Sequence, residues 1–199
     1  MKWLAGVRVC VLAAAVPAAL LGQWHVRWAN GASILVWVDP ADAPAGAIAL
    51  VDRAVSTWSA AIGPLVTLQR ANSQANAGIR VRFARSRGEY GETRPQVDPA
   101  SGTIRSADVV ITIDTGGDDP MTQRIVLYLT ALHELGHALG LRHTDNFSDI
   151  MYSFRRPDDG DRYFAAYRRR LRSPDDIGSS AASGLSVNDL AAARDLYRR

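Results

Sequence analysis

The chain has 199 residues, of which 47% are hydrophobic and 22% charged, with a formal net charge of +3. These values exclude a fibrous or intrinsically disordered chain and suit one domain with a sizeable core. The mild basicity, with a pI near 9.3, gives no case for nucleic acid as a partner.

Residues 1–22 read as a secretory signal. Lys2 and Arg8 supply positive charge, Val9 to Leu21 is an apolar run, and Ala18, Ala19 and Gly22 offer cleavage points. The run is short against the ~20 residues of a membrane span, so cleavage is expected rather than anchoring. The remainder has no stretch apolar enough to cross a bilayer, so the expected product is secreted or periplasmic. Cys10, the one cysteine, lies within the signal, and no disulfide is expected in residues 23–199.

Trp24 to Trp28 alternates apolar and polar residues, and Ile34 to Val38 is largely β-branched; together they predict one or two strands. Over 46–61, Ile48, Val51, Val55 and Trp58 fall at helical spacing, and Gly63-Pro64 ends the helix. Trp58 reads as core. Leu65 to Gln69 and Ile79 to Ala84 read as strands. In the second, Ile79, Val81 and Phe83 alternate with Arg80 and Arg82, giving one buried face and one solvated face. Residues 85–102, rich in Gly, Pro and charge, read as a loop, and Ile104 to Asp114 as a strand region. Thr115 to Asp119 is an acidic, Gly-containing turn; it is a candidate for Ca2+, although turn chemistry explains it better. Asp119 suits an N-cap and Pro120 a first helical residue. The helix then runs through Ile125, Val126, Leu129 and Leu132.

That helix leads into His133-Glu134-Leu135-Gly136-His137-Ala138-Leu139-Gly140-Leu141-Arg142-His143, which holds three of the chain's four histidines. His133 and His137 are four apart, so both imidazoles leave one helical face and can reach one metal ion. Glu134 leaves the same turn and can stand beside the metal without ligating it. Gly140 takes positive φ at low cost, so it can end the helix and return His143 as a third ligand. Three His with an open fourth position is the arrangement of a catalytic zinc, whereas structural sites are closed and Cys-rich. The bland alternative is a surface helix with two solvated histidines, and the placement of Gly140 and His143 argues against it.

Met151 follows His143 in Ser148-Asp149-Ile150-Met151-Tyr152. Residues 155–184 are rich in Arg and Asp. Tyr163 to Leu171 suits a short helix and Ser179 to Gly184 is flexible in composition. Leu185 to Tyr197 predicts a last helix, capped by Ser186, with Leu190, Ala193, Leu196 and Tyr197 on its apolar face.

The pattern H-E-x-x-H-x-x-G-x-x-H followed by a Met-turn resembles the metzincin metallopeptidases. Thr144 after the third His, and Leu185-Ser-Val-Asn-Asp-Leu with Leu196-Tyr197, resemble the matrixins (peptidase M10) among them. The resemblance implies an α+β fold over residues 23–199. A twisted mixed sheet with two long helices would be followed by a small C-terminal subdomain holding the Met-turn and the final helix, with 155–184 as an insert. It implies one catalytic Zn2+ on His133, His137 and His143, Glu134 as general base, Met151 supporting the ligands from below, and a protein or peptide substrate extended along a sheet edge. The implied activity is that of a secreted zinc endopeptidase. The alternative, a catalytically silent binding module of the same fold, would have no need of Glu134.

Three departures stand out. Ser153-Phe154-Arg155 replaces the family's Pro-x-Tyr, so its specificity pocket does not carry over. Ser153 stands where astacins place a tyrosine ligand, which argues against that branch. No cysteine-switch motif is present, so thiolate capping of the zinc is not expected. The insert is expected to rim the cleft, with Arg168, Arg169 and Arg170 favouring acidic substrate residues.

Overall fold

The computed structural model describes residues 26–63, 65–85, 90–113, 117 and 119–198. The signal at 1–22, the start of the strand expected at Trp24, and most of the Thr115 to Asp119 turn lie outside the described residues. Within them the elements are β1 (Ser33–Val38), α1 (Ala47–Ile62), β2 (Thr67–Arg70), β3 (Ile79–Ala84), β4 (Gly91–Val97), β5 (Ile104–Thr112), α2 (Pro120–Ala138), α3 (Asp159–Arg168) and α4 (Val187–Arg198).

The five strands form one sheet in the order β2-β1-β3-β5-β4. All neighbours are parallel except β4, which runs antiparallel to β5. Alternation decides which face is covered. Ile34, Val36 and Val38 of β1 and Ile79, Val81 and Phe83 of β3 are buried, under α1 and α2, which pack on each other and on the strands. On the opposite face Arg80 meets Asp108 at 2.7 Å, as expected of a solvated side. Trp58 of α1 is fully buried, and its indole N–H donates to Leu132 O of α2 at 2.8 Å. The two long helices are therefore tied together at the residue immediately before His133.

The loop expected at 85–102 is corrected by β4. Gly, Pro and, to a lesser degree, Glu are poor strand formers. As an edge strand, however, β4 pairs on one side only, so its Pro95 sacrifices no obligatory bond. At 24–28, among the described residues, only Arg27 makes an isolated bridge, to Thr103. The short helix expected over 163–171 spans 159–168 instead, because Asp159 and Asp161 in its first turn suit the positive helix end. The segment read as flexible at 179–184 is packed. Ala182 is 1% exposed, Tyr167 Oη donates to its carbonyl at 2.5 Å, and Gly184 lies against Leu129 and Leu132 of α2.

Candidate metal centre

The site begins with how α2 ends. A helix leaves its last four carbonyls without partners, and here each finds one. Gly140 adopts φ +99°, so its N–H reaches His137 O at 2.9 Å and the N–H of Leu141 reaches Gly136 O at 3.0 Å. These two bonds make a Schellman termination. The Trp28 indole N–H donates to Ala138 O at 2.8 Å and Tyr197 Oη donates to Leu139 O at 2.6 Å. A Cβ on residue 140 would lie 2.1 Å from Val26 O, so glycine is required by space as well as by φ. The chain leaves this turn reversed and carries His143 back over the helix.

The three imidazoles then converge. Their Nε2 atoms are 3.1 Å (His133–His137), 3.0 Å (His137–His143) and 3.2 Å (His133–His143) apart. Ligands about 2.0–2.1 Å from a tetrahedral metal would stand roughly 3.3 Å from one another, so the triangle fits such an ion. The tautomers fit as well. The Nδ1–H of His133 donates to Ile150 O at 2.6 Å and that of His137 to Leu141 O at 2.9 Å. Both Nε2 lone pairs therefore face inward. Burial lowers the pKa of all three rings, that of His133 to about 4, so protonation does not compete for those lone pairs at neutral pH. Among the described residues this is the one group of three or more His, Cys, Asp or Glu placed to hold a metal ion. Asp119, from the calcium candidate, caps α2 through the N–H groups of Met121 and Thr122.

Glu134 is 5% exposed and lines the same cleft as the three histidines. Met151 lies beneath, 2% exposed, with its sulfur against Gly136. The loop carrying it closes through Thr144 N–H to Met151 O at 2.8 Å. Below the loop stand two buried aspartates. Asp189 of α4 accepts from the N–H groups of Ile150 (2.8 Å), Met151 (3.4 Å) and Ser186 (2.8 Å). Asp149 accepts from Thr144 Oγ1 (3.0 Å), Asn146 Nδ2 (3.1 Å) and Ser186 Oγ (2.8 Å). Asp189 thus fixes the peptide whose carbonyl orients His133. The sequence signal for it was the Ser186-x-x-Asp189 spacing, a capping box whose second half also serves the loop.

The cleft has a volume of about 860 Å³. One wall is the outer edge of β4, residues 90–93 and Pro95; the other runs from Ile150 to Phe164. Tyr90 packs edge-on against Phe154 (5.8 Å) and Phe164 (5.1 Å), so Phe154, in the segment that departs from the family pattern, joins the two walls. Arg156, Pro157, Gly160, Tyr163 and Phe164 bring the insert to the rim. Arg168, Arg169 and Arg170 do not line the cleft. Arg170 lies over the Tyr167 ring instead, and Arg142 and Arg156 are the guanidinium groups at the rim.

The architecture defines a domain with a five-stranded mixed sheet under two long helices, and three imidazoles placed to hold a metal ion stand at the end of the longer one. The matrixin model of peptidase family M10 matches residues 39–164, more than half of the chain, and the chain belongs to that family. It is 33% identical over 118 residues to matrix metalloproteinase-25 of Mus musculus, covering 53% of this chain and 18% of that protein. Matrixins are zinc-dependent metalloproteases, and the triad supplies three neutral nitrogen donors of the kind zinc takes.

Proposed function

We propose that the chain is an exported zinc endopeptidase in which His133, His137 and His143 hold the ion, Glu134 is the general base and Met151 supports the ligands. The observation that carries this reading is the convergence of three inward-facing Nε2 atoms beside a buried glutamate in one open cleft. Zinc bound there would lower the pKa of a coordinated water to about 7 and polarise the scissile carbonyl. The substrate lies extended along the free edge of β4 and pairs with it through backbone hydrogen bonds. The aromatic wall of Tyr90, Phe154, Tyr163 and Phe164 receives an apolar side chain and keeps bulk water from the reacting bond. Glu134 accepts the water's proton at its carboxylate and delivers it to the leaving amine.

The mature domain is residues 23–199 with 155–184 as its insert, and residues 1–22 are an export signal. Among the described residues no helix is long and apolar enough to cross a membrane. Secreted protein should begin between Ala19 and Trp24 on N-terminal sequencing; an intracellular product retaining Met1 rejects export. For the activity, purified protein should cleave unstructured peptides, lose cleavage on chelation and regain it with one equivalent of zinc. Zinc-loaded protein that binds peptides without cleaving them would favour the silent binding module.

A further inference from the structure

We propose that Thr93 is a positioning residue for Glu134, its hydroxyl fixing the carboxylate from the strand that borders the cleft. The inference rests on the peptidase reading above for its catalytic meaning, but the geometry stands by itself. Thr93 Oγ1 donates to Glu134 Oε2 at 2.7 Å and has the backbone oxygen of the same residue at 3.0 Å. A hydroxyl bonded to a carboxylate at that distance makes a charge-assisted bond, stronger than a neutral one. Nothing in the sequence announces it, because the partners are 41 residues apart.

The register of β4 explains why Thr93 reaches Glu134. Gly91, Thr93 and Pro95 share one face of the strand, and this face lies toward α2 and the cleft. Pairing of Gly91 with Ile111 and of Thr93 with Val109 fixes both residues on β5. At Gly91 a Cβ would fall 2.7 Å from Glu134 Cγ and 2.8 Å from Oε1. Two neighbouring same-face positions are therefore fitted to one side chain: Gly91 leaves the room it occupies, and Thr93 bonds it. Glutamate is among the side chains with the most rotamer freedom to lose. A base displaced by an ångström costs about 10²-fold in rate, so a fixed carboxylate has direct kinetic value. The strand that holds the base is also the strand that receives the substrate, so substrate docking and base placement share one rigid element.

Thr93→Val separates this role from packing, because valine keeps the β-branched shape and removes only the donor. Zinc-loaded full chain carrying Thr93→Val should show kcat reduced roughly 10–100-fold with KM within about twofold of wild type. Thr93→Ser should restore most of the rate. In a Glu134→Ala background Thr93→Val should change nothing further, since it acts through that carboxylate. The metal-free protein gives an independent readout. In wild type and Thr93→Ser, the Glu134 Hβ–Hγ couplings by NMR should report one rotamer, and in Thr93→Val they should average. Wild-type kcat in Thr93→Val, a loss that serine does not restore, or single-rotamer couplings in the valine variant would each overturn the proposal. Wild-type protein that binds zinc and cleaves nothing would overturn the peptidase reading alone, and the couplings would still decide the role of Thr93.

Discussion

Gly136 lies inside α2 with helical backbone, so alanine there should stabilise the helix by about 1 kcal/mol on propensity alone. The packing opposes this. A Cβ at 136 would lie 2.4 Å from Met151 Sδ and 3.2 Å from Trp58 Cζ2. Met151 is 2% exposed and Trp58 0%, and the Trp58 indole is tied to Leu132 O, so neither has free space to yield into. Forcing an extra methyl into such a core costs about 1–3 kcal/mol. The net expectation for Gly136→Ala is therefore a loss of roughly 0–2 kcal/mol. The test is a double-mutant cycle by urea unfolding of the metal-free protein, which removes linkage to zinc. Met151→Ala alone should cost about 2–5 kcal/mol through its cavity. In that background the 2.4 Å clash with the sulfur is gone and the 3.2 Å approach to Trp58 Cζ2 remains, so Gly136→Ala should become neutral or stabilising by up to about 1 kcal/mol. The coupling between the two sites is then about 1–3 kcal/mol. Gly136→Ala that gains the whole propensity term in wild type, with no coupling to Met151, would refute the packing of sulfur beneath the helix.

Glu134→Ala should retain one zinc per chain and lower peptide hydrolysis by at least ~10²–10⁴-fold, because it removes the proton acceptor and no ligand. Full turnover at normal zinc content would remove Glu134 from the mechanism. Asp189→Ala leaves three loop and cap amides without their acceptor. At about 1–3 kcal/mol for each buried unsatisfied donor it should cost roughly 3 kcal/mol or more. Zinc affinity should fall about 10–100-fold, because Ile150 O no longer holds His133. Asp189→Asn keeps one acceptor oxygen and should lose less on both measures; equal loss in the two variants would contradict this account.

What the sequence revealed was what local periodicity encodes. Asp119-Pro120, the apolar face of α2 and the H-E-x-x-H spacing each follow from neighbours within a turn or two, and all appear where expected. What stayed hidden depended on partners distant in the chain. The run Gly91-Glu-Thr-Arg-Pro-Gln-Val97 reads as loop by composition. It becomes a strand because β5 offers it one edge and the cleft leaves the other open. A trace of this was present in the alternation of Gly91 and Thr93 with the charged Glu92 and Arg94. The start of α3 was missed because Asp158, Asp159 and Asp161 look like turn residues, although carboxylates also suit a helix N-terminus. The aromatic wall was invisible because Tyr90 and Phe164 stand far apart in sequence, and neither follows a motif.

The small C-terminal part is accordingly no appendage to the helix that carries the site. Tyr197 of α4 satisfies the carbonyl of Leu139, the residue that caps the C-terminus of α2. Asp189 of the same helix holds the peptide that orients His133. From the other end of the domain, Trp28 satisfies the preceding carbonyl and Val26 presses on Gly140. Three imidazoles pointing their lone pairs at one another resist assembly until a cation fills the centre, and that resistance must be overcome by the frame. Here the frame closes the helix end from two separate segments, through Trp28 on one side and Tyr197 on the other. The arrangement makes the geometry of the imidazole triad a property of the whole domain, with the eleven-residue motif supplying the three rings and the distant segments holding them in place.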